Sequence, residues 1–335
     1  MTIEELLGIL DELAPRTEQL GWDNSGLLIG HRDREVRKIY LAVDATEEVI
    51  RHAREFGADV LLTHHPLIFT KLSRVSDEDF VGRRVLELAE AGIALIAMHT
   101  NFDIHGMREA IDTKLGLHTT GMVGDEAGPG DALAGSAGTC DALVGSTGTC
   151  DASVGSAGTC DASAGSAGTC DASAGSAGTC DASVGSAGAC GTLTDSTVTC
   201  SIEVLDDEDR IGSIAELRKA VRLDDYAKFV RDAFGLEGVR VFGDGTTSIR
   251  RVAVCGGSGK SEIETAIRKG ADLLVTGDID HHSGLDALEQ GLCIIDAGHY
   301  GLEHVFMDYM RAYLKENAPG IASEMEPLKE AFRIV

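Results

Sequence analysis

His64 and His65 stand side by side in LLTHHPLIF (61–69), where an apolar, strand-like run meets a proline. Proline cannot continue a central strand, so the chain turns at Pro66 and the two imidazoles need not stay on opposite faces. Three other stretches end apolar runs on polar side chains: His99-x3-Asp103, Asp278 to His282, and His299-x3-Glu303. His299 and Glu303 are four apart at the start of a helix-periodic stretch, so they share one helical face. Imidazole nitrogens mixed with carboxylates suit Zn²⁺, Mn²⁺ or Fe²⁺ better than Ca²⁺ or Mg²⁺. The five donors His64, His65, Asp103, His299 and Glu303 crowd one ion that must keep an open position. They suit two divalent ions that share a carboxylate and a water, spaced about 3.5–4 Å apart as in hydrolytic centres. Each donor alone has a plainer reading: a structural strand-end histidine, a helix cap at Asp103, a solvated charge at Glu303. Their joint placement at strand exits favours the metal centre.

The elements that carry these donors alternate. Thr2 with Glu5 is a capping signal for a first helix whose Ile3, Leu6, Leu7, Leu10 and Leu13 share a face. KIYLAV (38–43), ADVLLT (58–63) and GIALIAM (92–98) read as strands, separated by helix-periodic 46–57 and 77–92. The second half repeats the order, with strands at 249–257, 271–277 and 292–299 and helices at 261–270 and 286–291. Gly57-Ala-Asp-Val-Leu-Leu-Thr matches Gly270-Ala-Asp-Leu-Leu-Val-Thr, and His99-x3-Asp103 matches His299-x3-Glu303. The expectation is two related α/β domains with mostly parallel or mixed sheets, residues 1–120 and 201–335, the second completing the metal site. Ligands of such sheets gather beyond the carboxyl ends of the strands, where the polar residues lie.

Between the halves lies a decapeptide repeat, DASAGSAGTC and variants. Residues 121–200 carry nine acidic residues, no Lys or Arg and no aromatics, too little apolar surface to offset chain entropy. A disordered low-complexity insert is the first expectation and a stacked repeat the second. Metal loading by its cysteines is the third, against which stand the absent CxxC spacing and histidine. The other two cysteines, Cys255 and Cys293, sit in apolar runs, which is intracellular usage. The net charge of −26 over 335 residues argues against a general nucleic-acid or anionic-membrane surface. The acidic first segment is no signal peptide, and no run is long enough to span a membrane, so a cytoplasmic protein is expected.

WDNSGLLIG (22–30), THHPLIF (63–69), HTNFD (99–103), GDIDHHSGLDA (277–287) and DAGHYGLE (296–303) resemble, in order, the motifs of one family. It is the dinuclear-metal-centre family of GTP cyclohydrolase I type 2 homologues, or Ngg-interacting-factor-three-like proteins. The resemblance covers about 1–120 and 201–335 and departs at the insert; many members also have Thr or Ser where this chain has Leu302. It implies a two-domain α/β fold, a toroidal homohexamer with sites facing an inner cavity, and the same five metal ligands. Asp23, His99, Asp278, His281 and His282 become the nearby candidates for substrate or supporting contacts.

The leading expectation is hydrolysis by metal-activated water, with His99, His281 or His282 carrying protons. The resemblance alone implies the substrate, a purine nucleotide such as GTP attacked at C8 of the guanine. A non-catalytic metal-binding or regulatory scaffold and a two-metal phosphoesterase are the alternatives. The turn Gly256-Gly-Ser-Gly-Lys260 lacks P-loop spacing; it is either an ordinary βα turn or a local phosphate cradle.

Overall fold

The computed structural model describes residues 1–117 and 199–333; the repeat falls outside the described residues. These belong to one compact unit built on two mixed sheets. In the first half, helix α1 (Ile3–Leu13) starts on the Thr2 hydroxyl, which accepts from the Glu5 amide, and buries Ile3, Leu6, Leu7 and Leu10. Strands β1 (Gly26–Ile29), β2 (Lys38–Ala42), β3 (Val60–Thr63) and β4 (Ala94–Ala97) follow, with α2 (Glu47–Phe56) and α3 (Phe80–Ala91) as crossovers. β2, β3 and β4 pair in parallel, and β1 adds an antiparallel edge beside β4. Every residue of β3 and β4 is buried, as strands covered on both faces must be. Burying each of their Leu and Ile side chains contributes about 1.5–3 kcal/mol before chain entropy is subtracted.

β4 runs into a short helical turn, α4 (Thr100–Phe102), then a π-helical turn at Asp103–Met107 and α5 (Arg108–Leu115). A π-turn inside a helix is uncommon and tends to mark a functional site, because it re-aims one side chain. Here that side chain is Asp103.

The second sheet is six-stranded. β5 (Thr199–Val204) and β6 (Ser213–Arg222) are long antiparallel strands, and α6 (Leu223–Phe234) returns the chain to β7 (Arg240–Phe242) and β8 (Ser248–Ser258). Then α7 (Ile263–Arg268), β9 (Leu273–Gly277), α8 (His281–Glu289), β10 (Cys293–Asp296), α9 (His299–Glu303) and α10 (Val305–Asn317) complete the parallel part. The sheets are thus more mixed than the apolar runs suggest. The last strand, β11 (Ala322–Met325), leaves its own half and pairs in parallel with β2 of the first sheet.

The internal match is visible in hydrogen bonds. Asp59 accepts the amides of Arg37 and Lys38 at 2.8 and 3.0 Å, tying the start of β2 to that of β3. Asp272 accepts the amides of Arg250 and Arg251, both at 2.8 Å, tying β8 to β9 in the same way. The two Gly-Ala-Asp segments therefore do the same work in the two halves, and both set the parallel register that delivers the next strand's exit to the site.

Candidate metal centre

The exits of β3, β4, β9 and β10 converge. His64 and His65 follow β3, Asp103 lies on the π-turn after β4, and His299 and Glu303 lie one turn apart on α9 after β10. Glu303 is the hub, only 3% exposed. Its Oε1 is 3.5 Å from His64 Nε2, and its Oε2 is 3.0 Å from His65 Nε2 and 3.1 Å from His299 Nε2. Asp103 Oδ1 lies 3.4 Å from His64 Nε2. Two of the metal-competent groupings among the described residues meet at Glu303: His64-Asp103-Glu303 and His65-His299-Glu303. A third joins His64, His65 and His99.

Each imidazole is oriented from behind. His64 Nδ1 is 2.7 Å from the Met98 carbonyl, His65 Nδ1 is 2.9 Å from Asp44, and His299 Nδ1 is 2.8 Å from Asp278. An Nδ1 proton given to an acceptor fixes the tautomer and leaves Nε2 as a bare lone pair, the usual arrangement behind metal-ligating histidines. Each ring therefore turns its Nε2 toward Glu303, the position where a proton or a metal ion is held. Accordingly, His64 Nε2 and Glu303 Oε2 are buried without a hydrogen-bond partner among the described residues. Burying such atoms unpaired costs several kcal/mol, and a divalent cation is the species that satisfies all of them at once. The donor set fits the metal it was expected to hold.

The electrostatics agree. Burial resists ionisation of Glu303, yet the surrounding imidazoles, His64 foremost, hold its carboxyl well below the ordinary range. Burial also resists protonation of His65, but Asp44 and Glu303 outweigh it and set its pKa at about 10. Glu303 is the main cause that lifts His299 to about 9. Burial, reinforced by nearby Glu303, pushes Asp103 up. A cation would replace these protons. The floor is apolar: His64 packs on Phe306, which meets Phe102 edge-on with ring centres 5.0 Å apart.

Two glycines explain why the halves differ at the exits. Where the first half has His64-His65, the second has Gly277-Asp278. A side chain at Gly277 would strike the backbone of His299 at 2.4 Å, so β9 surrenders its ligand position to let α9 approach. Asp278 takes a left-handed backbone (φ 58°), tolerated by Asp, and orients His299. Gly257, also left-handed at φ 65°, lies where a Cβ would sit 2.6 Å from Glu303 Oε1. The glycine-rich turn therefore makes room for the centre, and its Lys260 is paired with Asp280 at 2.7 Å.

His99 is at the site. Its ring centre lies 5.3 Å from that of His64 and 5.5 Å from that of His65. Asp23 holds it through Nδ1 at 2.8 Å and also accepts from Thr100 and Ser25. Burial opposes ionisation of Asp23, but these donors, His99 first, hold its carboxyl far below the ordinary range. His281 and His282 are not brought in. Both are exposed in the first turn of α8, whose Asp280 cap bonds the amides of His282 and Ser283, and neither lines the cavity described next. Asp44 is the contributor that sequence reasoning missed; its signal was a lone carboxylate just past β2, a fifth polar strand exit.

A cavity of 460 Å³ is lined by Asp103, His299, Glu303, His99 and Trp22, among other residues. Among the described residues no helix is long and apolar enough to cross a membrane.

Comparison with known proteins places this architecture. Over 305 residues the chain is 28% identical to a GTP cyclohydrolase 1 type 2 homolog of Clostridium perfringens, covering 90% of this chain and 87% of that one. A protein of the same name from Staphylococcus aureus is 27% identical over 342 residues, covering 94% and 93%. In fold it resembles a Bacillus cereus protein related to NIF3 (TM-score 0.68, 24% identity, 100% and 99% covered). It also resembles reduced HcgD from Methanocaldococcus jannaschii (TM-score 0.66, 19% identity, 98% of each chain). Residues 1–329 match the Duf34/NIF3 (NGG1p interacting factor 3) family, and the chain belongs to it.

Proposed function

We propose that this protein holds two divalent ions and hydrolyses a small molecule with them. His64, Asp103 and Glu303 would hold one ion, and His65, His299 and Glu303 the other. The observation that carries the reading is the pair of buried, unpartnered atoms, His64 Nε2 and Glu303 Oε2, between the two groupings. Bound there, Zn²⁺, Mn²⁺ or Fe²⁺ would supply Lewis acidity that activates water and polarises an electrophile. The chain's own residues do the rest. Asp23 fixes His99 so that its Nε2 takes or gives a proton at the cavity wall. Phe102 and Phe306 keep water from the back of His64. Asp44 and Asp278 keep the imidazoles of His65 and His299 in register.

The name carried by the relatives points to a purine nucleotide as substrate, with opening of the guanine ring as the reaction. The test is a nucleotide panel with protein loaded with Zn²⁺, Mn²⁺ or Fe²⁺. Formate released from GTP supports the reading; free phosphate instead identifies a phosphoesterase. Full metal loading with no turnover identifies a metal-binding scaffold. A homohexamer belongs to the same proposal and is checked by light scattering in solution.

A further inference from the structure

Trp22 and Phe69 stand in the segments WDNSGLLIG and THHPLIF, yet neither is a donor of the metal centre. Large aromatic side chains are normally well covered, but Trp22 is 58% exposed and Phe69 52%. The two rings touch, with centres 5.8 Å apart and planes at 48°. Both also meet the imidazole of His99 edge-on, with ring centres 5.9 Å from Trp22 and 6.3 Å from Phe69. Exposed apolar residues scattered singly need no explanation; two in contact beside a candidate site do.

Polar bonds of the two loops hold the pair in place. Trp22 sits in the turn before β1, where the Asp23 amide donates to the Leu20 carbonyl at 2.9 Å. The Gln19 side chain accepts the Ser25 amide at 2.6 Å, and the Thr100 hydroxyl accepts the Leu20 amide at 2.9 Å. Phe69 lies on the loop after β3, two residues beyond Leu67, which packs on the core of the first half. Asn24 ties the loops together: its side-chain amide donates to the carbonyl of Ile68, next to Phe69. Rings presented on pinned loops lose little freedom when a ligand covers them.

Size and position select the occupant. Aromatic side chains bury about 150–250 Å² each, so this half-exposed pair offers on the order of 200 Å². A stable protein interface takes about 800 Å² per partner, far more than the pair supplies. Trp22 also lines the cavity that His99, Asp103, His299 and Glu303 line. A molecule that covers the indole from the cavity therefore lies beside the candidate metal donors. Flat heteroaromatic rings stack on aromatic side chains and carry in-plane nitrogens and oxygens that His99 could meet. We propose that Trp22 and Phe69 form a stacking platform that holds a flat heteroaromatic ring of the ligand beside His99. That this ring is the part that reacts rests on the hydrolase reading; the stacking does not.

Equilibrium dialysis of GMP, AMP and ribose 5-phosphate, with and without added Zn²⁺, tests the platform. The three probes share a sugar phosphate and differ in the ring. GMP and AMP should bind at least about fivefold more tightly than ribose 5-phosphate, and Trp22→Ala should remove that advantage. Phe69→Ala, on the other loop, should weaken both in the same direction, and Trp22→Phe should keep most of the affinity. Phe80→Ala, which removes an aromatic 57% exposed on α3, should change nothing. Trp22 is the only tryptophan of the chain, so GMP and AMP should also quench its emission while ribose 5-phosphate does not. Equal binding of all three probes, binding without quenching, or wild-type affinity in both Trp22→Ala and Phe69→Ala overturns the proposal. So does a smaller assembly in those variants by light scattering, which makes the pair a contact between copies. Ring binding that depends on Trp22 in a protein that turns over no nucleotide keeps the platform and sinks the hydrolase. Turnover with an unchanged KM in Trp22→Ala does the reverse.

Discussion

His65 gives its Nδ1 proton to Asp44 over 2.9 Å, and this single bond decides which nitrogen faces Glu303. Asp44→Asn keeps the size but offers an amide whose nitrogen competes as a donor. Metal affinity should fall about 10–100-fold, the usual effect of losing such a supporting partner. Competition with a chromophoric chelator measures it. Unchanged affinity would show that the ring is fixed by packing alone.

Stoichiometry distinguishes one ion from two. His64→Ala and His65→Ala should each lose about one ion of two, because they serve different groupings around Glu303. Glu303→Ala should lose both. Elemental analysis after dialysis reads this out, and two ions retained in Glu303→Ala would remove the bridge from the account.

Gly257→Ala tests the close approach. The new methyl would press on Glu303 Oε1 and hold a left-handed backbone that costs about 1–2 kcal/mol. Reduced metal content with only a modest drop in melting temperature is the expected pair of results.

Asp112 makes stability depend on pH. Burial raises its carboxyl to about 7, with the Ser213 hydroxyl donating to it and partly offsetting the rise. Above its unfolded value near 4, the folded state binds the proton more tightly than the unfolded chain. Stability from this group is therefore greatest at low pH, declines as pH rises from about 4 to about 7, and is flat beyond. Asp112→Asn should gain on the wild type across that window, by on the order of a few kcal/mol. Urea melts at pH 5 and pH 8 check the sign.

Glu326 anchors β11. It is 9% exposed, accepts from the Tyr40 hydroxyl at 2.9 Å, and lies 2.9 Å from His52 Nδ1. Glu326→Ala leaves the phenol without its partner and should cost about 1–3 kcal/mol. Glu324→Ala, on the exposed side of the same strand, should cost little. Thermal unfolding compares them.

What was legible in the sequence follows from burial. β2, β3, β4, β9 and β10 are covered on both faces, so they read as continuous apolar runs and their exits could be located to within a residue or two. The meeting of the five candidate donors was legible for the same reason, since each of them follows such a run. β6 was not, because SIAELRKAVR carries charges along an exposed half and lacks an apolar run. β11 is ASEM, with two exposed and two half-buried residues, and only its partner β2 makes it a strand. The exposure of His281 and His282 could not be foreseen either. Their motif fixes a helix start at Asp280, and the direction of that helix is set by packing between α8 and β10.

The pairing of β11 with β2 also sets a timetable. A ribosome that has finished β2, β3 and β4 has made a sheet whose outer neighbour lies some 280 residues further on, at residues 322–325. The first half therefore cannot settle as a finished unit while the chain is still emerging, and contacts of such long range are slow to form. The ligand cluster shares the delay, since His64 and His65 wait for His299 and Glu303. A divalent ion held by that cluster would be gripped fully only after translation had passed both halves.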